Sequence, residues 1–372
     1  MIEWIPLLIA GGALLPNTLP MNEKKRIMQV FENTDFCIKR EGEKEYPVFI
    51  KRDENESARV YYFRLPLGLD LADHPKLVDR LKTSLNRNIE VMGDSVLQVW
   101  IYKHSLPTYW KYESVPFKDG WVVPIGKNYK DLLWHDFDKI PHMTIAGMTR
   151  YGKTVLLKTI FTYLIEHHPN DAEFYIIDLK GGLEFGAFEH LKQVKGFAED
   201  LEGARDILNL VKDDAEREKK YFREQRYTNV VETNETKRKF ILVDEAAEIP
   251  NKSEEQEILS HIARVTGALG YRLIFATQYP TGDTLPREIK QNADAKVTFR
   301  LPTDMASRVA IDESGATELD QPGRAIYRSY DKFTVQVPYL SDIEMRKRLR
   351  RWEIDSTSEE VRETREDTII FR

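Results

Sequence analysis

Gly147-Met148-Thr149-Arg150-Tyr151-Gly152-Lys153-Thr154 fits every fixed position of the phosphate-loop pattern G-x-x-x-x-G-K-[ST]. The spacing has a chemical reason. Two glycines let backbone amides close around phosphate oxygens, Lys153 brings a point charge to the β and γ phosphates, and the Thr154 hydroxyl can ligate Mg²⁺. The flanks agree with this reading. Met143 to Ala146 reads as a short buried strand, and the stretch from Val155 to Ile165 is apolar and free of glycine, as a helix is. The loop then lies at a helix N-terminus, where unpaired amides and the helix dipole favour anions. Gly147 through Val155 are therefore the candidate binding residues for ATP.

Outward from the loop, strands and helices alternate from Pro141 to about Pro338. The expected strands are Met143 to Ala146, Phe174 to Asp178, Phe240 to Asp244, Leu273 to Thr277, Val297 to Leu301 and Ala325 to Arg328. The first four are short apolar runs, mostly with polar ends, the pattern of buried parallel strands whose carboxyl ends form a site. Phe240-Ile241-Leu242-Val243-Asp244-Glu245 is the natural companion of the phosphate loop. Asp244 is expected to hold Mg²⁺ and Glu245 to polarise the attacking water as general base. Gln278, at the end of another apolar strand, can reach the γ-phosphate or the water. Arg300, Arg308 and Arg324 follow or flank strands, and each is a candidate for stabilising charge on the transferred phosphoryl group.

The rest of the chain sets bounds. Its 372 residues suffice for two or three domains, and 41% hydrophobic with 31% charged residues suits a soluble protein. A net charge of -6 confines any nucleic-acid contact to a local surface such as a pore. The single cysteine, Cys37, excludes an internal disulfide or a thiolate zinc site and fits a reducing, cytoplasmic compartment. From Trp4 to Leu15 the chain carries no charge, yet it falls short of the about 20 apolar residues an ordinary spanning helix needs. Two readings stay open for residues 1–20, membrane association and a buried packing segment. Lys24, Lys25 and Arg26 would keep the downstream chain cytoplasmic.

Residues 21–115 pattern as a small α+β domain. Tyr46 to Arg52 and Ala58 to Arg64 form an expected hairpin, Leu77, Val78, Leu81 and Leu85 recur at helical spacing behind an Asp73 cap, and strands Ile89 to Met92 and Val96 to Tyr102 follow around Gly93-Asp94. Nothing in it reads as catalytic: His74, His104 and its tyrosines lack partner spacing. A linker-like stretch then leads through Gly120 to Lys127, expected as an edge strand, into the α/β domain that carries the phosphate loop, over residues 116–340. Residues 341–372 form a charged tail in which Arg346 to Arg351 read as a solvated helix face rather than a DNA contact.

The run PIGKNYKDLLWHDFDKIPHMTIAGMTRYGKTV, from Pro124 to Val155, closely resembles the motor entry of the FtsK/SpoIIIE family of DNA translocases. The likeness continues through Tyr175 to Lys180, Phe240 to Glu245, and RLIFATQYPTGDTLPREIKQNADAKVTFRLPTDMASRVAIDESGA. The resemblance implies a RecA-like α/β motor, a P-loop NTPase with a mainly parallel sheet, that assembles as a homo-hexamer, hydrolyses ATP between subunits and draws DNA through its channel. It assigns Lys153 and Thr154 to phosphate and metal, Asp244 and Glu245 to the acidic pair, Gln278 to the sensor position, and Arg308 first to the intersubunit arginine. Sequence-independent DNA contact is expected from Lys180-Gly181-Gly182 and from the segment Thr281 to Lys290. Arg150-Tyr151 departs from the Gly-Ser common in the family, and no room remains after Tyr339 for a winged-helix domain. The short apolar leader and small first domain resemble the compact coupling proteins of Gram-positive conjugative elements and plasmids, with a relaxase or other conjugation component as partner. Protein secretion of the type VII kind and a nucleotide-switched scaffold are the alternatives.

Overall fold

The computed structural model describes residues 22–72, 74, 76–93 and 95–354, with the backbone of 369–371. The expected Asp73 cap, Asp94, the apolar leader and the chain end from 355 to 368 lie outside the described residues. Two compact units divide at Ser105/Leu106.

The first unit opens with α1 (Glu23–Asn33), whose first turn is capped by the Asn22 side chain accepting from the Lys24 amide. The hairpin β1 (Ile38–Arg40) and β2 (Glu43–Glu45) follows. Then come β3 (Val48–Glu54), β4 (Ala58–Arg64), α2 (Leu77–Leu85), β5 (Ile89–Met92) and β6 (Val96–Tyr102), in an antiparallel sheet ordered β3-β4-β6-β5. Alternation explains the packing: Leu97, Val99 and Ile101 send alternate side chains of β6 into one core with Ile27 and Phe31 of α1 and Leu77 and Leu81 of α2.

The second unit is built on one 11-stranded sheet. Its elements in order are β7 (Val122–Lys127), β8 (Leu132–Asp136), β9 (Met143–Ala146), α3 (Lys153–His167), β10 (Ala172–Asp178), β11 (Val194–Ala198), α4 (Leu201–Gln225), β12 (Arg238–Asp244), α5 (Glu254–Val265), β13 (Tyr271–Thr277), α6 (Arg287–Asn292), β14 (Ala295–Thr298), α7 (Asp304–Ile311), β15 (Arg324–Arg328), β16 (Lys332–Gln336), α8 (Asp342–Leu349) and β17 (Ile369–Phe371). The order across the sheet is β17-β11-β10-β12-β13-β9-β14-β15-β16-β7-β8. Neighbours from β17 to β14 are parallel, and those from β14 to β8 antiparallel.

The central parallel strands carry apolar runs such as Phe240 to Val243 and Leu273 to Ala276 because both faces are covered. On β12, Phe240 and Leu242 face the core that contains Leu156, Ile160 and Phe161 of α3, while Ile241 and Val243 face Ile207 and Leu208 of α4 and Leu259 and Ile262 of α5. The helix α3 is buried on most of its circumference, which explains a composition apolar all round instead of striped. Each fully buried Leu or Ile of these two layers contributes about 1.5–3 kcal/mol.

Two expectations change. The strand ending at Lys127 is not the sheet edge, since β8 pairs outside it with Val122 opposite Asp136. The segment after 340 begins as part of the second unit: Met345 and Leu349, four apart on α8, are buried in the α3 core. Arg346, Lys347, Arg350 and Arg351 stay exposed, and Arg348 pairs with Glu166 at 3.0 Å.

Candidate nucleotide site

Three neighbouring parallel strands, β12, β13 and β9, finish at one edge, and the candidate residues stand on their ends. The phosphate loop joins β9 to α3 and is tied to both flanking strands. Gly147 N donates to Thr277 O at 3.3 Å and Met148 N to Arg300 O at 2.9 Å. A Cβ on Gly147 would stand 2.5 Å from Phe299 Cβ, so no larger residue fits there without movement. Gly152 has φ 114° and precedes Lys153, the first residue of α3. Arg150 takes φ 71°, the left-handed region in which glycine is at ease, so an arginine holds the conformation at a cost of about 1–3 kcal/mol. Its neighbour Tyr151 packs on the core, accepts from Gly323 N at 2.8 Å and carries the Arg300 guanidinium over its ring at 5.7 Å.

The acidic pair ends β12. Asp244 is fully buried and Glu245 nearly so, with Glu245 in the left-handed region at φ 58°. Lys153 Nζ donates to Asp244 Oδ1 and lies 3.8 Å from Glu245, whose Oε2 is 2.9 Å from Lys180 Nζ. Burial works against the Lys180 ammonium, but Glu245, with Asp244 and Glu184 behind it, outweighs that and raises its pKa. One strand over, Asp178 stands in register with Asp244. Its carboxyl accepts from the amides of Lys180, Glu184 and Phe185 at 3.4, 2.9 and 3.0 Å, which folds the turn that carries Lys180. Burial raises the Asp178 pKa, those amides oppose the rise, and the nearby Asp244 adds to it.

The buried Asp244 Oδ2 has no hydrogen-bond partner among the described residues, and Thr154 sits on the first turn of α3. No cluster of three or more acids, histidines or cysteines suited to a metal is found among the described residues. This donor set fits a Mg²⁺ ion that arrives with phosphates and keeps most of its ligands from them and from water.

Gln278, just past β13, accepts a hydrogen bond from the Thr149 hydroxyl at 2.9 Å, joining its strand end to the phosphate loop. The three arginines differ. Arg324 donates to Gln336 Oε1 and to Pro107 O, both at 3.0 Å, and Arg300 reaches Leu319 O at 3.3 Å as well as the Tyr151 ring. Arg308 is exposed on α7, and its guanidinium meets no hydrogen-bond or ion-pair partner among the described residues. Of the expected DNA-facing loops, the first turns Lys180 inward to Glu245, and the second uses Lys290 on Asp312 at 2.6 Å while Arg287 stays exposed.

A cavity of 560 Å³ opens over these strand ends. The phosphate loop, Lys180 and Gln278 line one side, and Tyr109, Trp110 and Tyr339 line another. Sequence reasoning missed this aromatic side. The available signal was weak: Tyr109-Trp110 and Tyr339 lie far apart in the chain and belong to no motif.

Residues 109–249 match the model of the FtsK/SpoIIIE family, so this stretch is an FtsK/SpoIIIE-family domain. The DNA translocase FtsK of Lactiplantibacillus plantarum is 28% identical over 247 residues, covering 59% of this chain and 31% of that protein. The ESX secretion system protein YukB of Bacillus subtilis is 27% identical over 251 residues, covering 59% of this chain and 17% of that protein. The chain thus spans less than a third of these relatives. Among solved structures, the pCW3 conjugation coupling protein TcpA, in its monomer form with ATPgS, superposes with a TM-score of 0.61 at 23% identity, covering 88% of this chain and 99% of that one. At that identity the likeness is one of fold.

Proposed function

We propose that this chain is an ATPase whose hydrolysis drives DNA through a homo-hexameric ring, as a coupling protein for the transfer of mobile-element DNA. The observation that carries the ATPase reading is the convergence of Lys153, Asp244, Glu245 and Gln278, from the ends of β12 and β13 and the helix after β9, beside the phosphate loop at one edge of the sheet. In this reading the loop amides and Lys153 grip the triphosphate, and Thr154 and Asp244 hold Mg²⁺, which neutralises phosphate charge when bound. Lys153 exchanges Asp244 for phosphate, which leaves the Asp244 carboxylate to the ion. Glu245 orients and deprotonates the attacking water, and Gln278 carries the state of the γ-phosphate into the loop through Thr149. Arg308 reaches the site of a neighbouring subunit.

Similarity to a DNA translocase and the fold of a conjugation coupling protein support DNA as the cargo. Similarity to a secretion-system protein supports a second reading, in which the cargo is a polypeptide. The deciding experiment is the ATPase rate with and without duplex DNA, alongside the mass of the particle. Stimulation of tenfold or more with a six-subunit mass is expected; a rate indifferent to DNA but raised by an exported protein would move the cargo to the second reading.

A further inference from the structure

Resting on the ATPase reading, we propose that Tyr109 and Tyr339 form the nucleobase wall of the same cavity and take the base of the nucleotide by face stacking. The two rings are 5.5 Å apart, centre to centre, and tilted by 44°. A base inserted between two rings needs about 7 Å between them, twice a van der Waals contact of about 3.5 Å. The pair is therefore no slot. Both rings line the cavity that the phosphate loop also lines.

The wall is built and held. Lys111 and Tyr339 form a parallel bridge in which Tyr339 N donates to Trp110 O at 2.9 Å and Tyr112 N to Tyr339 O at 3.0 Å. Behind the rings, polar side chains are spent on one another: Trp110 Nε1 donates to Gln336 O at 2.7 Å, Gln336 Oε1 accepts from Arg324, and Gln336 Nε2 donates to Pro322 O at 2.9 Å. The face this side presents to a ligand is ring surface. Yet Tyr109 is 55% and Tyr339 45% exposed, unlike the buried Trp110 beside them. Two large aromatic rings left half in water at the mouth of a cavity, on a fixed backbone, match the π-face of a base. Stacking of this kind tolerates any base and gains affinity without reading its edge.

The test compares two probes on the full chain with Mg²⁺ present, a slowly hydrolysed ATP analogue and inorganic tripolyphosphate, which has the phosphates but no base. The Tyr109→Ala, Tyr339→Ala double variant is expected to bind the nucleotide about tenfold more weakly, the loss of one stacked base, and tripolyphosphate within twofold of wild type. Phenylalanine at both positions is expected to restore nucleotide affinity. Because both rings are half-exposed, an unchanged melting temperature checks that the fold survives. Equal losses for both probes, or no loss for either, would overturn the stacking wall while leaving the phosphate loop intact. Wild-type protein that binds neither probe would overturn the ATPase reading itself, and the wall with it.

Discussion

Glu245 is held by position more than by softness of its surroundings. Its backbone is left-handed, its carboxylate is nearly buried, and two ammonium groups, Lys180 and Lys153, stand 2.9 and 3.8 Å away. Replacing it with glutamine keeps the shape and removes the base, so Glu245→Gln should bind ATP within threefold of wild type and turn it over about 10²–10⁴-fold more slowly. Turnover near wild type in single-turnover assays would remove Glu245 from that role. Lys153 calls for a more careful substitution. Truncating it to alanine leaves Asp244 as an unpaired buried charge, a change of about 3–5 kcal/mol against the fold, so loss of binding in Lys153→Ala has to be read beside a urea melt. The histidines give a pH signature. His135 and His142 are fully inside, and burial pushes each imidazole down to about 3. Their folded pKa lies below the unfolded one, so the stability they contribute is complete above pH about 6.5 and is lost as pH falls from there toward 3. The slope approaches about 2.7 kcal/mol per pH unit at most for two such groups. Burial raises the Asp178 pKa, which pulls the other way at the acid end. Urea midpoints at pH 7 and 5.5 should differ in wild type and differ less in His142→Asn, whose amide can still accept from Leu273 N as the His142 ring does at 2.9 Å.

At the scale of elements, the site is a set of strand ends, and the strand between β9 and β12 does the spacing. By lying between them, β13 puts the acids two strands from the phosphate loop, close enough for Lys153 to span the gap from the first turn of α3. The loop itself is a wedge between β9 and the residues after β14, and Phe299 closes on it from the β14 side. Gly147→Ala should therefore displace the loop: a Cβ at 2.5 Å from Phe299 Cβ is overpacking worth about 1–3 kcal/mol. A drop in the urea midpoint with at least tenfold weaker ATP analogue binding is the expected pair of results, and unchanged values for both would show the loop free to move. These elements were largely legible before the structure, because apolar runs such as Phe240 to Asp244 and Leu273 to Thr277 can be satisfied only in a sheet covered on both faces, and the glycines at 147 and 152 mark where backbone approaches closely. Arg150 was legible only as a departure; its left-handed φ shows that the loop keeps a glycine-like conformation with a side chain added. The antiparallel flank was less legible. Strand β8 is half-buried and mixed in polarity, and β16 opens with an exposed lysine, so neither run announces a sheet. Lys180 could be placed on a loop but not turned inward, since that depends on Asp178 folding the turn beneath it.

For the whole molecule the arginines decide whether one chain can complete its own site. Arg324 is tied to Gln336 and Pro107, and Arg300 to Leu319 and Tyr151. Freeing either for the γ-phosphate means breaking contacts that hold the cavity wall. Arg308 breaks nothing, and it projects from α7 outside the residues that line its own cavity. A subunit that must borrow an arginine has two separable defects, one on each side of an interface, and mixing reveals them. On the proposed reading, Lys153→Ala subunits would not grip nucleotide but would still offer Arg308 to a neighbour, and Arg308→Ala subunits would grip nucleotide and lack a donor. Each variant alone should be nearly inactive. In an equal random mixture, a competent site needs an Arg308→Ala subunit with a Lys153→Ala neighbour on its donor side, which is about a quarter of the sites in a ring of head-to-tail contacts. ATPase activity of the mixture should rise toward that ceiling with duplex DNA present, and rise further if the ring is first dissociated and reassembled. A mixture no more active than the sum of its parts would overturn Arg308 as the residue lent across the interface, and Arg300→Ala and Arg324→Ala, each assayed alone and then mixed with Lys153→Ala, would say which arginine acts and from which side.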